Sequence, residues 1–312
     1  MPVYNDWDAL SRLLLKLDEE VEVSRRTAKI VLVDDGSTIA APEGLVQRTY
    51  RSIISIDVVS LRRNLGHQRA IAVGLSYIEA NHPQNLVVVM DSDGEDDPKD
   101  VPRLVSECAA NRNERIIFAA RMRRSEGWLF ACFYHLYRII HYLLTGVRVR
   151  VGNFSIIPPQ LLNRLVAVSE LWSHYAAAVH KAKLPIALIP TERSNRLGGQ
   201  PRMDLVSLVV HGLSAMAVFG DRIGVRLLIV VSAGMLLAVF GLIAVLVIRL
   251  TTDLAIPGWA SYAAGLLIVL LMQMLLVILV FVFVILATRN AANVIPSRDY
   301  LYLTAGCQRL YG

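Results

Sequence analysis

Cysteine is scarce in this chain. Cys108, Cys132 and Cys307 are odd in number, lie far apart and form no Cys-x-x-Cys pair. That excludes a disulfide framework and points to a reducing compartment for the soluble part. Charge is missing from two long stretches, Leu227–Ile248 and Trp259–Ala287, where only Gln273 breaks the apolar character of the second. Each reaches the roughly 20 apolar residues that a membrane-spanning helix needs. No secretory signal opens the chain, since MPVYNDWDAL is of mixed polarity, so the N-terminal domain is expected to stay on the side where it is made. Internal repeats and low-complexity segments are absent as well.

The apolar excess is uneven. Of 312 residues 54% are hydrophobic, with mean hydropathy +0.47, yet the chain up to about residue 125 has the balance of a soluble α/β protein. A soluble domain followed by a membrane anchor is the division this implies. Net charge is +6. Beside membrane segments, a basic balance fits anionic headgroups better than nucleic acid, so no nucleic-acid partner is expected. The loop 249–258 carries one arginine, Arg249, against Arg222 and Arg226 before the first span and Arg289 and Arg298 after the second. The positive-inside rule then places both the soluble domain and the tail in the cytoplasm, around a multi-pass hairpin in the inner membrane.

Along the soluble part, Ala9, Leu10, Leu13, Leu14 and Leu17 recur at helical spacing. KIVLV (29–33), residues 53–61, LVVVM (86–90) and RIIFA (115–119) are strand candidates separated by helical stretches such as 68–80. Alternation of this kind predicts an α/β domain with a mostly parallel sheet. MPVYND has the form of a strand's end whose apolar beginning is missing, so a truncated first strand is expected. Residues 128–144 are apolar but carry His135, Arg138 and His141, and residues 203–222 carry Asp204, His211 and Asp221. Both stretches suit interfacial amphipathic helices better than spans. The expected division is 1–202 soluble domain, 203–226 juxtamembrane helix, 227–288 hairpin and 289–312 tail.

Ligands of parallel α/β sheets bind beyond the carboxyl ends of the strands. Three polar clusters fall there: Asp34-Asp35-Gly36-Ser37, Asn64-Leu65-Gly66-His67-Gln68 and Asp91-Ser92-Asp93-Gly94-Glu95. Each alone could be an ordinary turn. Carboxylates at i, i+2 and i+4 can converge on a hard cation, which makes Asp91, Asp93 and Glu95 candidate ligands for Mg²⁺ or Mn²⁺ together with substrate phosphate. Asp96, Asp97 and Asp100 suit a cap and a first helical turn. Downstream, Arg193, Arg196 and Arg202 flank Gly198 and Gly199. This is a basic loop suited to gripping phosphates or touching lipid headgroups.

In their order, PVYND, VDDGS, RNLGHQ and MDSDGED resemble the family 2 glycosyltransferases of the GT-A fold. The likeness is to the branch with a C-terminal membrane hairpin, the polyprenyl-phosphate glycosyltransferases similar to dolichol-phosphate mannose synthase. It extends from residue 2 to about 290. The resemblance implies a Rossmann-like domain in which Pro2, Tyr4 and Asn5 line the nucleotide pocket, Asp34 or Asp35 holds base or ribose, and Asn64 and Gly66 contribute to the cofactor-binding side. Asp91-Ser92-Asp93 matches the family's Asp-x-Asp motif, with Asp91 or Asp93 bridging metal and diphosphate. Glu95 falls where the branch often has Gln. Arg193–Met203 is similar to its mobile Arg-x-x-Gly-x-Ser-Lys-Met loop, with Pro201 for Ser and Arg202 for Lys. Asp93, Arg196 and Arg202 are therefore the catalytic candidates.

The implied activity is hexosyl transfer from a nucleotide-sugar to a polyprenyl phosphate or other lipid acceptor, with inversion. An anionic acceptor needs little general base. The Gln-x-x-Arg-Trp motif of processive synthases is absent, so one sugar is expected per acceptor. Two alternatives stay open: transfer to a hydroxyl of a lipid or glycan, for which Glu170 or His174 could serve as base, and a degenerate, non-catalytic membrane partner. The hairpin could also associate into a homo-oligomer.

Overall fold

The computed structural model describes residues 1–42, 48–121, 128–147, 151–192, 194–198, 205–252, 258–290 and 294–312. For Arg121, 128–134, 136, 205–209, 211 and 288–290 only the backbone is described. Two units emerge: one formed by Met1–His135, Val147–Val218 and Asn293–Gly312, the other by Leu136–Gly146 and Phe219–Ala292.

Among the described residues, the first unit carries eight strands in two four-stranded sheets. In one, β1 (Pro2–Val3), β2 (Ala28–Asp34) and β3 (Ile53–Leu61) run parallel, and β8 (Thr304–Tyr311) closes the edge antiparallel to β3. In the other, β5 (Ile116–Arg121) lies parallel to β7 (Ile186–Thr191), while β6 (Ser155–Ile157) runs antiparallel to both β4 (Val87–Val89) and β5. The α/β order is as expected. The sheets are mixed rather than mostly parallel, because β8 runs antiparallel to β3, and β6 antiparallel to both β4 and β5.

Helix α1 (Trp7–Val23) buries Leu10, Leu13, Leu14, Leu17 and Val21 on one stripe against Leu32, Ile53 and Ile56. Asp18 sits in that stripe, only 7% exposed. Its carboxylate accepts from the backbone N–H groups of Arg51, Ser52 and Ile53, each at 2.8 Å, and so ties α1 to the start of β3. Helix α2 (His67–Asn81) follows the Asn64-Leu65-Gly66 turn and covers the other face through Ala70, Ile71 and Val73. Helix α3 (Asp100–Ala110) buries Val101, Leu104 and Cys108.

Residues 289–312, expected as a tail, include α10 (Pro296–Leu303) and β8, both integral to this unit. Tyr300 joins Val31, Val33, Val59, Leu61, Leu65 and Val73 in a buried cluster. The remaining helices here are α5 (Pro159–Val166), α6 (Tyr175–Lys181) and α7 (Leu205–Ala217). α7 stops before Val218, so the expected juxtamembrane helix does not run unbroken to residue 226.

The second unit is a helical hairpin, α8 (Gly220–Thr251) and α9 (Trp259–Asn290), with the end of α4 (Trp128–Thr145). Gly220–Thr251 and Trp259–Ala287 are long and apolar enough to cross a membrane. Almost nothing of either is buried, so their Leu, Val, Ile and Phe side chains face outward. A Cβ at Gly224 would meet Ile285 at 2.8 Å and one at Gly234 would meet Met274 at 3.0 Å, which is how small residues let two apolar helices approach. Arg226 donates to the Tyr142 and Leu143 carbonyls and so caps the C-terminus of α4.

Burial pushes the Asp18 carboxyl up, but three backbone N–H donors together hold it below the usual carboxylate range. A depressed folded-state pKa adds stability above the unfolded value of roughly 4, and that stability is lost as pH falls through the folded pKa. Asp18→Asn should cost about 2 kcal/mol at pH 7 and flatten the acid limb of stability against pH, as measured by thermal unfolding in detergent.

Candidate active site

The clusters at the ends of β2 and β3 are joined by contact. Asp35 is 4% exposed and accepts from Leu65 N at 2.6 Å and Gly66 N at 2.9 Å. Both its oxygens clamp the neighbouring turn, so it acts as a strut rather than a free ligand for base or ribose. Burial raises its pKa despite those two donors. Gly36 has φ +71°, and a Cβ there would lie 2.7 Å from Asn64 N, so the two turns touch backbone to backbone.

Asp34 accepts from Ser37 N at 2.9 Å and is partly exposed. Asn5 takes φ +54°, and its carboxamide oxygen accepts from Thr38 N and Ile39 N at 2.8 and 3.0 Å, so it shapes the loop after Gly36. Pro2 is buried in β1, Tyr4 is 40% exposed, Asn64 is exposed and Gly66 (φ +95°) is half-buried. Among these, Tyr4, Asn5, Asp34, Asn64 and Gly66 retain solvent-accessible surface.

The acid cluster follows β4. Asp91 Oδ1 lies 3.1 Å from His67 Nε2. Asp93 Oδ1 accepts from Glu95 N at 3.0 Å, and Asp93 Oδ2 stands 3.6 Å from Arg196 Nη1. Arg196 is held from elsewhere: Nη2 pairs with Asp6 at 2.6 Å and Nε donates to Gly198 O at 2.8 Å. Backbone bonds from Ser194 N to Glu95 O and from Leu197 N to Asp93 O, both 3.0 Å, lay residues 194–198 over the acids. Leu197 fills the space above Gly94, whose φ is +81° and where a Cβ would meet its side chain at 2.5 Å.

Asp96 and Asp97 are structural. Asp96 accepts from Asp91 N at 3.2 Å, and Asp97 accepts from Lys99 N at 3.1 Å and Ser194 Oγ at 2.9 Å. Burial, then repulsion from Asp91 and Glu95, raises the pKa of Asp93 against the pull of the Glu95 N–H and Arg196. At His67, desolvation presses the imidazole down, yet the Asp91 carboxylate more than offsets it and the net shift is upward.

Among the described residues no three His, Cys, Asp or Glu side chains converge into a ready-made coordination sphere. Asp91, Asp93 and Glu95 thus do not form a preassembled cage, since Asp93 turns back to its own Glu95 N–H. A divalent ion that also takes substrate phosphates needs only one or two carboxylates. Asp91 and Asp93 fit that demand: they repel one another in a desolvated setting, with His67 3.1 Å from Asp91 and Arg196 3.6 Å from Asp93. Arg193 and Arg202 lie outside the described residues.

Asn153 is not legible in the sequence as a partner of His67 and Gln68. Val89 pairs with Ser155 across an antiparallel ladder, which brings Asn153 opposite Asp91. Asn153 Nδ2 lies 3.0 Å from His67 Nε2, and its Oδ1 accepts from Gln68 Nε2 at 3.1 Å. Gln68 in turn accepts from Tyr175 N at 2.8 Å. His174 is buried and caps α6, and Glu170 pairs with Lys181 at 4.0 Å, so both candidate bases have structural work.

Gly94→Ala should displace residues 194–198 without unfolding the domain. Limited trypsin digestion should then cleave after Arg196 about tenfold faster than in the parent, the equivalent of roughly 1.4 kcal/mol of lost docking.

The sequence profile of Glycosyl transferase family 2 matches residues 1–165. Over 128 residues the chain is 34% identical to an undecaprenyl-phosphate 4-deoxy-4-formamido-L-arabinose transferase of Edwardsiella ictaluri (strain 93-146), an alignment covering 41% of this chain and 38% of that protein. Over 276 residues it is 23% identical to the uncharacterized glycosyltransferase YkcC of Bacillus subtilis (strain 168), covering 84% and 80%. The first alignment thus spans well under half of that relative's length. With the matched profile covering more than half of its length, the chain belongs to the family 2 glycosyltransferases.

Proposed function

We propose that this glycosyltransferase moves one sugar from a nucleotide-sugar to a polyprenyl phosphate, with inversion, at the cytoplasmic face of the inner membrane. The observation that carries this reading is the basic loop docked on a desolvated acid pair, in a chain with two helices of spanning length. The named undecaprenyl-phosphate relative supports the choice of acceptor class.

Tyr4, Asp34, Asn64 and Gly66 face the nucleotide in this reading, while Asn5 and Asp35 hold the turns that present them. Asp91 and Asp93 would hold Mg²⁺ or Mn²⁺, which when bound neutralises charge on the nucleoside diphosphate leaving group. His67 pairs with the Asp91 carboxylate, and Asn153 contacts the same imidazole. Arg196, braced by Asp6, lies beside Asp93 and can shift from carboxylate to phosphate as the donor enters. Arg202 is assigned to the acceptor phosphate. That acceptor is already an anion and requires no base, which agrees with the structural employment of Glu170 and His174.

Chain connectivity supports the membrane arrangement. The chain on either side of residues 219–292 belongs to the first unit, so that segment leaves it and returns to it. Two crossings satisfy this; one does not.

The test is label transfer. Membranes containing the protein, incubated with Mg²⁺, undecaprenyl phosphate and labelled UDP-, GDP- or dTDP-sugars, should yield organic-extractable label from one donor class, abolished by EDTA. Asp93→Asn should lower the rate by about 10³-fold while the fold persists, in line with loss of a group aimed at transition-state charge. Donor hydrolysis or glycan labelling without any lipid label would overturn the acceptor assignment.

A further inference from the structure

We propose that residues 296–311 form a positioning strap for the donor turn Arg62–Gly66, with Tyr300 as its main positioning residue. This rests on the proposed function, in which that turn faces the nucleotide.

Three sets of contacts carry the inference. Arg62 N donates to Leu303 O and Arg62 Nε donates to Thr304 O, both at 3.0 Å, at the junction of α10 and β8. The start of the turn is therefore fixed by carbonyls more than 240 positions later in the chain. Beneath the turn, Tyr300 is 8% exposed and shares a buried cluster with Leu65 and Ala70. Leu65 is the residue whose N–H anchors to Asp35, so the strap packs against the apolar side of the same residue that Asp35 holds by its backbone.

The far end of the strap is fastened independently. Arg309 Nε donates to Asp57 Oδ1 at 2.9 Å, and Asp57 is 3% exposed. The Tyr311 hydroxyl accepts from Tyr50 N at 3.2 Å, with the two rings edge to face at 5.0 Å. Along its length, β8 pairs with β3 from Ile56↔Tyr311 to Leu61↔Thr304. A strap tied at its end, along its length and under the turn can fix the turn's position, whereas a loose tail cannot. The strap also comes directly after α9 in the chain, so the strand-end turn on the donor side and the second apolar helix are covalent neighbours through it.

Tyr300→Ala, in the full chain purified in detergent, tests this by hydrogen exchange and by kinetics. Exchange at the Leu65 and Gly66 amides should accelerate about tenfold or more. KM for whichever UDP-, GDP- or dTDP-sugar the parent turns over should rise about tenfold with kcat changed less than threefold, the pattern of lost uniform binding. Tyr300→Phe, which keeps the ring, should restore both. Arg62→Gln removes the Thr304 contact from the solvent side without opening the core, and should move both readouts in the same direction by a smaller factor, even where Tyr300→Ala folds poorly. Unchanged exchange at Leu65 and Gly66 in both variants overturns the strap. Faster exchange with unchanged donor KM overturns its role in donor binding and, with it, the assignment of this turn to the nucleotide.

Discussion

Crowding of Asp91, Asp93, Glu95, Asp96 and Asp97 at the end of β4 is a charge problem that much of the surrounding structure answers. Like charges in a partly desolvated site raise one another's pKa and cost stability unless donors or cations meet them. The acids are met in different ways. Asp96 and Asp97 turn to backbone N–H groups and the Ser194 hydroxyl, whereas Asp91 meets His67. Among the described residues, Asp93 meets one N–H and a guanidinium at 3.6 Å, too long for a hydrogen bond. A carboxylate met so loosely is one at which an incoming cation gains most.

The same logic explains why Arg196 needs Asp6. A guanidinium offered to Asp93 alone would pair with it fully and compete with any divalent ion. Asp6 at 2.6 Å and Gly198 O at 2.8 Å hold the group back, so that it shares rather than surrenders its charge. Loop 194–198 is thereby docked without saturating the acids. Gly94 is the steric condition for this: its positive φ leaves the volume that Leu197 occupies.

Much of this is written locally in the sequence, and the remainder is not local. Strand ends, polar clusters, the helical stripe of α1 and the two apolar spans come from periodicity and composition, because each depends on neighbours within a few residues. The second span runs over Trp259–Ala287 as its composition predicts, while the first helix begins at Gly220, seven residues before Leu227. Charged Asp221, Arg222 and Arg226 hide that start, since Arg226 is spent on the α4 carbonyls. Asn153 escapes because its place opposite Asp91 depends on the antiparallel register of β6. Asp35 reads as a ligand because an acid at a strand end looks the same whether its partner is a ribose or the N–H groups of Leu65 and Gly66. Residues 296–311 read as a tail since TAGCQRLY is polar on the surface of an edge strand, and its pairing with β3 is set by tertiary contact alone.

The return of the chain to β3 changes what the apolar hairpin is. An appended anchor can be replaced by any other anchor without consequence for the domain it carries. A segment inserted between α7 and α10 cannot be cut away together with all that follows it, because the chain on its far side completes the sheet and the core beneath the Leu65 turn. Removing the hairpin together with residues 294–312 would uncover Val59, Leu61 and Leu65, three residues that hold their apolar surface against Tyr300. At roughly 25 cal/mol per Å² of apolar area, a loss of that kind is comparable with the whole stability margin of a small domain. A soluble fragment of this transferase should therefore keep residues 294–312, joined by a short linker across the excised helices, rather than end before them.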